Sequence, residues 1–135
     1  MYSRHHAAIS AVVGLALAAA DVTSLAAVWL VAGAVLLGVF VDLDHFLIAR
    51  LRTGSWEPLV RCLRNPRLAL LDQDDIFATG AVGVWTRLVS HIVITVMLVA
   101  GLSVVDPALA VAAAAVLVAH IVSDVVWDAW GGALG

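Results

Sequence analysis

Histidine and aspartate residues stand at the ends of long apolar runs in this sequence. The densest group is the stretch from Asp42 to His45. Its candidate partners lie far from it along the chain: His5, His6, His91, His120, Asp124 and Asp128. A charged side chain inside a bilayer costs several kcal/mol and usually has a partner and a function. Histidine and carboxylate without cysteine suit divalent metals, so we expect these side chains to meet and bind one.

The composition is that of an integral membrane protein. The 135 residues are 64% hydrophobic and 13% charged, and the mean hydropathy is +1.08. A soluble domain of this size needs a more polar surface. The length fits one domain, residues 1–135. All 7 basic residues are arginines that flank apolar segments, so no nucleic-acid partner is expected.

The expected fold is all-α, an integral membrane four-helix bundle. Its spans are approximately residues 7–20, 25–48, 82–105 and 107–127. The first segment permits two interpretations, because Arg4 precedes it and a run of alanines ends it. It is either a cleaved signal peptide or a short retained helix. We favour the retained helix, because His6 then contributes to the metal site.

The only extended polar region is the loop of approximately residues 50–81, between the second and third spans. In this loop Leu59, Val60 and Leu63 recur at helical spacing, on the side opposite Arg61. That pattern predicts a short helix that lies in the membrane interface.

Arginine placement predicts the orientation of the chain. Arginines precede the first span, occupy the long loop and begin the third span, whereas the two opposite turns contain none. By the positive-inside rule, both termini and the loop are cytoplasmic. The expected location is therefore the inner (cytoplasmic) membrane, as a multi-pass protein.

The candidate ligands are expected to share one depth. At about 1.5 Å per residue, His6 and His91 lie about 21 Å from the outer turns of their helices. Asp42 lies about 25 Å and His120 about 20 Å from the corresponding turns. Because the hydrocarbon core is roughly 30 Å thick, all four belong to the inner leaflet.

Helical spacing also places several of these side chains on common faces. Asp42 and His45 are three residues apart and share one face of their helix. His120, Asp124 and Asp128 follow one another at intervals of four residues and form one stripe. The metal is expected to be zinc, with manganese, iron or magnesium as alternatives, and these groups suffice for one or two ions.

Three further residues are candidates for catalysis. Arg87 lies one turn from His91, and its guanidinium is predicted to bind a phosphate oxygen. Asp44 or Asp128 is predicted to be a general base or to orient a ligand histidine. Asp44 points away from Asp42 in a regular helix, so it joins the site only if the helix unwinds there. Otherwise it pairs with an arginine at the interface.

The order of these motifs resembles a known family, the small membrane-bound metal-dependent hydrolases, which include the YdjM-type predicted inner-membrane hydrolases. The likeness covers nearly the whole chain. It is carried by Arg4-His5-His6, Asp42-Leu43-Asp44-His45, Arg87 through Ser90-His91, and His120-x-x-x-Asp124 before a glycine. The metal ligands that the resemblance implies are His6, Asp42, His45, His91, His120 and Asp124. The family often has a proline at the position of Val41 and a histidine at that of Thr86.

The expected function is hydrolysis of a phosphoester on a membrane lipid or lipid-like amphiphile, because the site lies between acyl-chain and headgroup depth. A second hypothesis is a transporter or channel subunit for a metal ion or protons, since intramembrane histidine and aspartate also form such relays. A third is a structural membrane protein in which the metal only joins the helices. The sequence leaves the substrate, the number of ions and the oligomeric state open.

Overall fold

The computed structural model describes residues 1–70, 72–78 and 81–131. Throughout these residues the regular structure is helical, without a β-strand, and the all-α prediction is confirmed. The helices are α1 (Ser3–Ala19), α2 (Ala27–Phe40), α3 (Asp44–Thr53), α4 (Glu57–Arg64), α5 (Pro66–Leu70), α6 (Val84–Val105) and α7 (Pro107–Trp130). Short 3-10 turns occur at Val41–Leu43 and Gln73–Asp75.

Three helical stretches are long and apolar enough to cross a membrane. They are Ala27–Thr53, which contains α2, the turn Val41–Leu43 and α3, then α6 and α7. These stretches match the second, third and fourth predicted spans. Helix α1 coincides with the first predicted span but has 17 residues. It is therefore shorter than the roughly 20 residues that a full crossing requires.

The outward faces of the long helices are apolar. Trp29 is 69% exposed, Met97 is 70% exposed and Val104 is 87% exposed. In α6 His91 is the one buried residue, and large apolar side chains such as Val93 and Val105 face outward. Such surface would be unfavourable in water but is compatible with lipid chains. The three long helices thus fit a multi-pass membrane protein.

Small residues allow α1 and α2 to approach closely. The buried residues of these helices are spaced by four positions: His6, Ser10 and Gly14 in α1, and Leu30, Ala34 and Gly38 in α2. A Cβ atom on Gly14 would lie 3.0 Å from the Cβ of Ala34. A Cβ on Gly38 would lie 1.9 Å from Oγ of Ser10. Close contact through small residues is typical of membrane helices, and four residues further along the α2 stripe stands Asp42.

The start of α7 is fixed by the turn that the sequence indicated. The carboxylate of Asp106 accepts hydrogen bonds from the backbone N–H groups of Ala108 and Leu109, at 2.9 and 3.1 Å. Pro107 occupies the first turn, where its missing N–H costs nothing. This N-cap sets the register of the helix that carries His120.

At the end of the helices opposite the Asp106–Pro107 turn, the N-terminus, the long loop and the ends of α6 and α7 contact one another. The Met1 amine contacts Asp124, near the end of α7, and the Ser3 amide donates to Gln73 of the long loop at 2.7 Å. Arg87, near the start of α6, pairs with Asp128 of α7. The helix predicted within the loop forms as α4. The arginine-rich parts of the chain therefore gather at one end of the helical assembly.

Candidate metal centre

The predicted ligands converge inside the arginine-rich end, although they come from separate helices. His6 lies in α1, His91 in α6, and His120 in α7, and each is only 1% exposed. The stretch from Asp42 to His45 reaches them from the junction of α2 and α3. Polar side chains buried this deeply lower stability unless partners compensate them, so their contacts indicate what the cluster can bind.

The first group of side chains is His6, Asp42, His120 and Asp124, whose ligand atoms lie within 4.8 Å of one another. Nε2 of His6 lies 3.2 Å from Oδ1 of Asp124 and 3.8 Å from Oδ2 of Asp42. Nε2 of His120 lies 3.4 Å from Oδ1 of Asp42 and 3.6 Å from Oδ2 of Asp124. Two imidazoles and two carboxylates therefore face a common point.

The second group contains Asp42 again, together with His45 and His91, and these ligand atoms also lie within 4.8 Å of one another. Oδ1 of Asp42 is 3.5 Å from Nε2 of His91 and 3.6 Å from Nε2 of His45. Oδ1 of Asp44 lies 3.3 Å from Nε2 of His91 and 3.6 Å from Nε2 of His45. Asp42 is thus common to both groups.

Tighter local winding brings Asp44 into the cluster. The 3-10 turn Val41–Leu43 separates α2 from α3, and a 3-10 turn contains three residues instead of 3.6. Asp44 was expected to join Asp42 only if the helix unwinds there, whereas the helix instead winds more tightly and brings the two side chains nearer to one face. A hydrogen bond from Oγ of Ser90 to Oδ2 of Asp44 holds the carboxylate in place.

A backbone hydrogen bond orients His120. Its Nδ1 lies 2.9 Å from the carbonyl oxygen of Gly38. Because a carbonyl can only accept, Nδ1 must carry the hydrogen, and in the neutral ring Nε2 is left as the lone-pair atom. That atom points toward Asp42 and Asp124. Metal-binding histidines are commonly held this way through their other nitrogen.

Several buried ligand atoms have no hydrogen-bond partner within the described part of the chain. They are Nε2 of His6, Oδ1 of Asp42, Nε2 of His45, Nε2 of His120 and Oδ2 of Asp124. Two ligands at 2.0–2.2 Å from a tetrahedral zinc ion are separated by about 3.4 Å. The distances from 3.2 to 3.8 Å between opposing atoms in the first group bracket that value. The cluster therefore fits a divalent cation.

Carboxylates outnumber cationic groups around the cluster. The carboxylates belong to Asp42, Asp44, Asp124 and Asp128. Within the described residues, the cationic groups facing them are the Arg87 guanidinium and the Met1 ammonium, whose nitrogen lies 3.0 Å from Oδ1 of Asp124. Buried charges require compensation, and a bound divalent cation would supply it.

Arg87 and Asp128, both predicted to take part in catalysis, contact each other. Nη2 of Arg87 bonds to Oδ2 of Asp128, and its Nε lies 3.7 Å from Oδ2 of Asp124. The guanidinium has five N–H donors, so this pairing does not exhaust its capacity. Its predicted binding of phosphate stays a prediction, as does a role of Asp128 as a base.

A cavity of about 470 Å³ adjoins the cluster. Polar groups from Asp42, His45, Arg87 and Asp128 lie on its wall. Tyr2, Ser3 and Gln73 also line it. The apolar side chains in the wall include Val39, Phe40, Phe46, Ile76, Phe77 and Trp127. The cavity beside the candidate metal ligands is therefore lined by both polar and apolar side chains.

Ser10, Gly38 and Ser90 support the cluster without having been predicted as site residues. The sequence offered one signal for the first two, because Ser10 follows His6 by four positions and Gly38 precedes Asp42 by four. His5 lies outside both groups of candidate ligands. Its ring packs beside Trp127, with the centroids 5.3 Å apart.

Comparisons of the chain with protein families, with curated proteins and with solved structures give no match. The resemblance of its motifs to membrane-bound hydrolases therefore stays a prediction. The site must be interpreted from its own geometry and chemistry.

Proposed function

We propose that the protein is a membrane-embedded, metal-dependent hydrolase that acts on a phosphoester of a lipid or lipid-like amphiphile. One observation carries the proposal: buried ligand atoms of His6, His120 and Asp124 lack hydrogen-bond partners within the described chain, beside a cavity lined by both polar and apolar side chains. Zinc is the preferred metal, and manganese, iron and magnesium are alternatives. A relation to the YdjM-type hydrolases belongs to the same proposal.

The proposed placement in the membrane has four crossing helices, with both termini and the long loop in the cytoplasm. Helix α1 joins the three long helices as a short fourth span, because its buried stripe from His6 to Gly14 packs on α2. The arginines concentrate at the end that holds the metal cluster, which supports a cytoplasmic position for that end. In this orientation α4 lies along the inner membrane surface, with Leu63 toward the lipid.

The substrate class is inferred from the polar and apolar side chains that line the cavity. Phe40, Phe46 and Trp127 offer contacts for an acyl or other hydrocarbon chain. Arg87 also lines the cavity, and its remaining N–H donors are suited to phosphate oxygens. An amphiphile with its phosphate toward the cluster would contact both the apolar side chains and Arg87.

The reaction is the addition of water across a phosphoester bond. His6, Asp42, His120 and Asp124 would hold a divalent metal, which would lower the pKa of a bound water and polarise the phosphoryl oxygens. The water oxygen forms a new bond to phosphorus, the bond from phosphorus to the ester oxygen breaks, and the departing oxygen takes up a proton. Asp128 lines the cavity, so it is the carboxylate proposed to accept the proton of the attacking water. Arg87 holds the phosphate and keeps Asp128 in position.

The distribution of buried residues favours hydrolysis over transport. Between the cluster and the opposite turns, the buried residues of α2 and α7 are apolar: Leu30, Ala34, Ala110, Ala112, Ala113, Val116 and Leu117. A relay for protons or metal ions needs polar groups along its path. Beyond the cluster, the described buried residues of α1, α2 and α7 include one polar side chain, Ser10, one turn from His6, and none nearer the opposite turns. A metal that only joins the helices would also not account for the cavity beside the cluster.

Phosphate release by detergent-purified, zinc-loaded or manganese-loaded protein tests the proposal. The substrates are phosphatidic acid in mixed micelles and the water-soluble p-nitrophenyl phosphate. We expect release from the lipid to exceed release from the soluble ester. Substitution of a residue that orients a metal ligand typically lowers activity about 10–100-fold. Because His120 is itself a proposed ligand, His120→Ala should lose more activity than that. Ser103→Ala is the control, since that exposed hydroxyl bonds only locally, to the carbonyl of Ala100.

Two results would contradict the proposal. The first is phosphate release from both substrates that is no greater for the wild-type protein than for His120→Ala. The second is flux of zinc or protons through liposomes without hydrolysis, lost in His120→Ala, which would establish the transporter hypothesis instead.

A further inference from the structure

We propose that the cluster is a two-metal centre in which Asp42 is shared between the ions and Asp44 completes the second site. The inference rests on the metal binding in the proposed function but not on hydrolysis. It changes the role of Asp44, which the sequence analysis had treated as a candidate base or orienting residue. It also sets the number of ions, which the sequence had left open.

The two donor sets have the same composition. The first consists of His6, His120, Asp124 and Asp42, and the second of His45, His91, Asp44 and Asp42. Each set supplies two imidazole nitrogens and two carboxylates. In the second set the four distances between an imidazole Nε2 and a carboxylate Oδ1 fall between 3.3 and 3.6 Å. These values are close to the roughly 3.4 Å expected between ligands of one tetrahedral ion.

Asp42 lies between the two sets. Its Oδ1 atom faces the Nε2 atoms of His45 and His91 in the second set at 3.6 and 3.5 Å. The same oxygen faces Nε2 of His120, in the first set, at 3.4 Å. Its Oδ2 atom faces Nε2 of His6 at 3.8 Å. Oδ1 has no hydrogen-bond partner in the described chain although it is buried. A carboxylate that faces histidines of both donor sets, chiefly through one oxygen, is suited to join two ions that lie roughly 3.5–4 Å apart.

Asp44 is held as a ligand rather than as a base. The Ser90 hydroxyl lies within hydrogen-bond distance of Oδ2 of Asp44 and of the Arg87 carbonyl oxygen, which is 2.8 Å from its Oγ. Its single hydrogen is therefore shared between these two acceptors. The other oxygen of Asp44, Oδ1, faces His45 and His91. A base for the attacking water would have to reach the cavity, and the cavity is lined by Asp42 and Asp128 rather than by Asp44.

The two sites differ in their access to the cavity. His45 lines the cavity, and its side chain is 16% exposed. The side chains of His6 and His120 in the first set are 1% and 0% exposed. The second site therefore lies nearer to the substrate, whereas the first is enclosed among α1, α2 and α7. We expect the enclosed site to bind its ion more tightly.

Titration of the metal-stripped full chain with Mn²⁺ tests the inference, with bound ions counted and the electron paramagnetic resonance spectrum recorded. The wild-type protein should bind about two ions per chain, and their spectrum should show exchange coupling through the shared carboxylate. Asp44→Asn and His45→Gln should each reduce binding to about one ion per chain and leave an uncoupled spectrum. Asp21→Asn is the matched control, because Asp21 lies at the opposite end of α1 and should keep both ions.

The outcomes separate this inference from the proposed function. Binding of one ion by the wild-type protein overturns it even if the protein hydrolyses lipid phosphoesters. Two coupled ions in Asp44→Asn also overturn it. Two coupled ions without hydrolysis support it and contradict the hydrolase proposal alone. If Asp44→Asn does not fold, His45→Gln takes its place, and if both fail, the count and coupling in the wild-type protein decide.

Discussion

The carbonyl oxygen of Gly38 accepts a 2.9 Å hydrogen bond from Nδ1 of His120, which links α2 to α7 inside the cluster. The bond fixes which nitrogen of His120 carries the hydrogen and which one faces the carboxylates. It forms where α1 and α2 are closest, since a side chain on Gly38 would collide with Ser10. Helix packing and ligand orientation are therefore coupled at this glycine.

Substitution of Gly38 should weaken metal binding although Gly38 is not a ligand. In Gly38→Ala the new Cβ would lie 1.9 Å from Oγ of Ser10, so α1 and α2 must separate and the carbonyl must shift. Loss of a partner that orients a ligand typically lowers metal affinity about 10–100-fold. Competition with a fluorescent chelator measures the affinity.

Gly33→Ala is the matched control for this change, because a Cβ there meets no atom within 4 Å. It should leave the metal affinity unchanged. Adding Ser10→Gly to Gly38→Ala removes the colliding atoms and should restore part of the affinity. Equal affinities for Gly38→Ala and Gly33→Ala would show that the contact between Gly38 and His120 does not support the metal site.

The hydroxyl of Ser90 should affect the second metal site selectively. Ser90→Ala removes the hydrogen bond to Oδ2 of Asp44 and leaves that carboxylate free to rotate. We expect the affinity of the weaker of two Mn²⁺ ions to fall about 10-fold, with the tighter ion unaffected. Isothermal titration calorimetry on metal-stripped protein resolves the two affinities.

Ser103→Ala provides the comparison for Ser90→Ala on the same helix. Ser103 also bonds a carbonyl three residues earlier, at 2.8 Å, but it is exposed and has no partner from another helix in the described contacts. The Ser103→Ala protein should bind both Mn²⁺ ions as the wild-type protein does. A similar loss in both variants would mean that any serine removal in α6 perturbs the fold rather than Asp44.

The pair of Arg87 and Asp128 should contribute to stability and to turnover but not to metal content. Both side chains are largely buried, and neither belongs to a ligand set. Arg87→Gln leaves the Asp128 carboxylate unpaired, which should reduce the free energy of unfolding by about 3 kcal/mol. Thermal unfolding in detergent followed by circular dichroism measures the loss of stability, and mass spectrometry measures the metal.

Removal of both charges separates the effect of the ion pair on stability from the role of the two residues in the reaction. Arg87→Gln combined with Asp128→Asn should regain most of the lost stability, because no unpaired charge remains. It should not regain phosphate release, since the proposed phosphate contact is still missing. Full activity in the double variant would exclude Arg87 and Asp128 from the reaction.

Chelation of the metal should destabilise the wild-type protein. A metal present at about 100 times its dissociation constant stabilises the folded state by about 2.7 kcal/mol, and a strong chelator removes that contribution. Thermal unfolding with and without chelator measures the difference. His120→Ala should respond much less to chelator because it has already lost a ligand. An identical response of both proteins would place the stabilising metal elsewhere.

The positions of the long helices were predictable because their signals are local. Apolar runs of membrane length predicted α6 and α7 to within a few residues, and the Asp106–Pro107 turn predicted where α7 begins. The depth of the candidate ligands follows from residue counts along straight helices. Convergence of His91 and His120 was therefore within reach of the sequence.

The details of the site depend on contacts between helices, which local sequence does not encode. The turn Val41–Leu43 contains neither glycine nor proline, so nothing in it indicates the tighter 3-10 winding that brings Asp44 inward. The requirement for glycine at position 38 depends on how closely α1 approaches. Serine in a membrane helix ordinarily bonds the carbonyl one turn earlier, and Ser90 does so while also bonding Asp44.

X-ray absorption spectroscopy of the metal in detergent-purified protein tests the central claim most directly. The account predicts a bound divalent metal with nitrogen and oxygen ligands at about 2.0–2.2 Å and outer-shell scattering from imidazole rings. The metal should be lost from His120→Ala. Folded wild-type protein that holds no metal after exposure to zinc and manganese would contradict the account. So would a metal bound through the sulfur of Cys62.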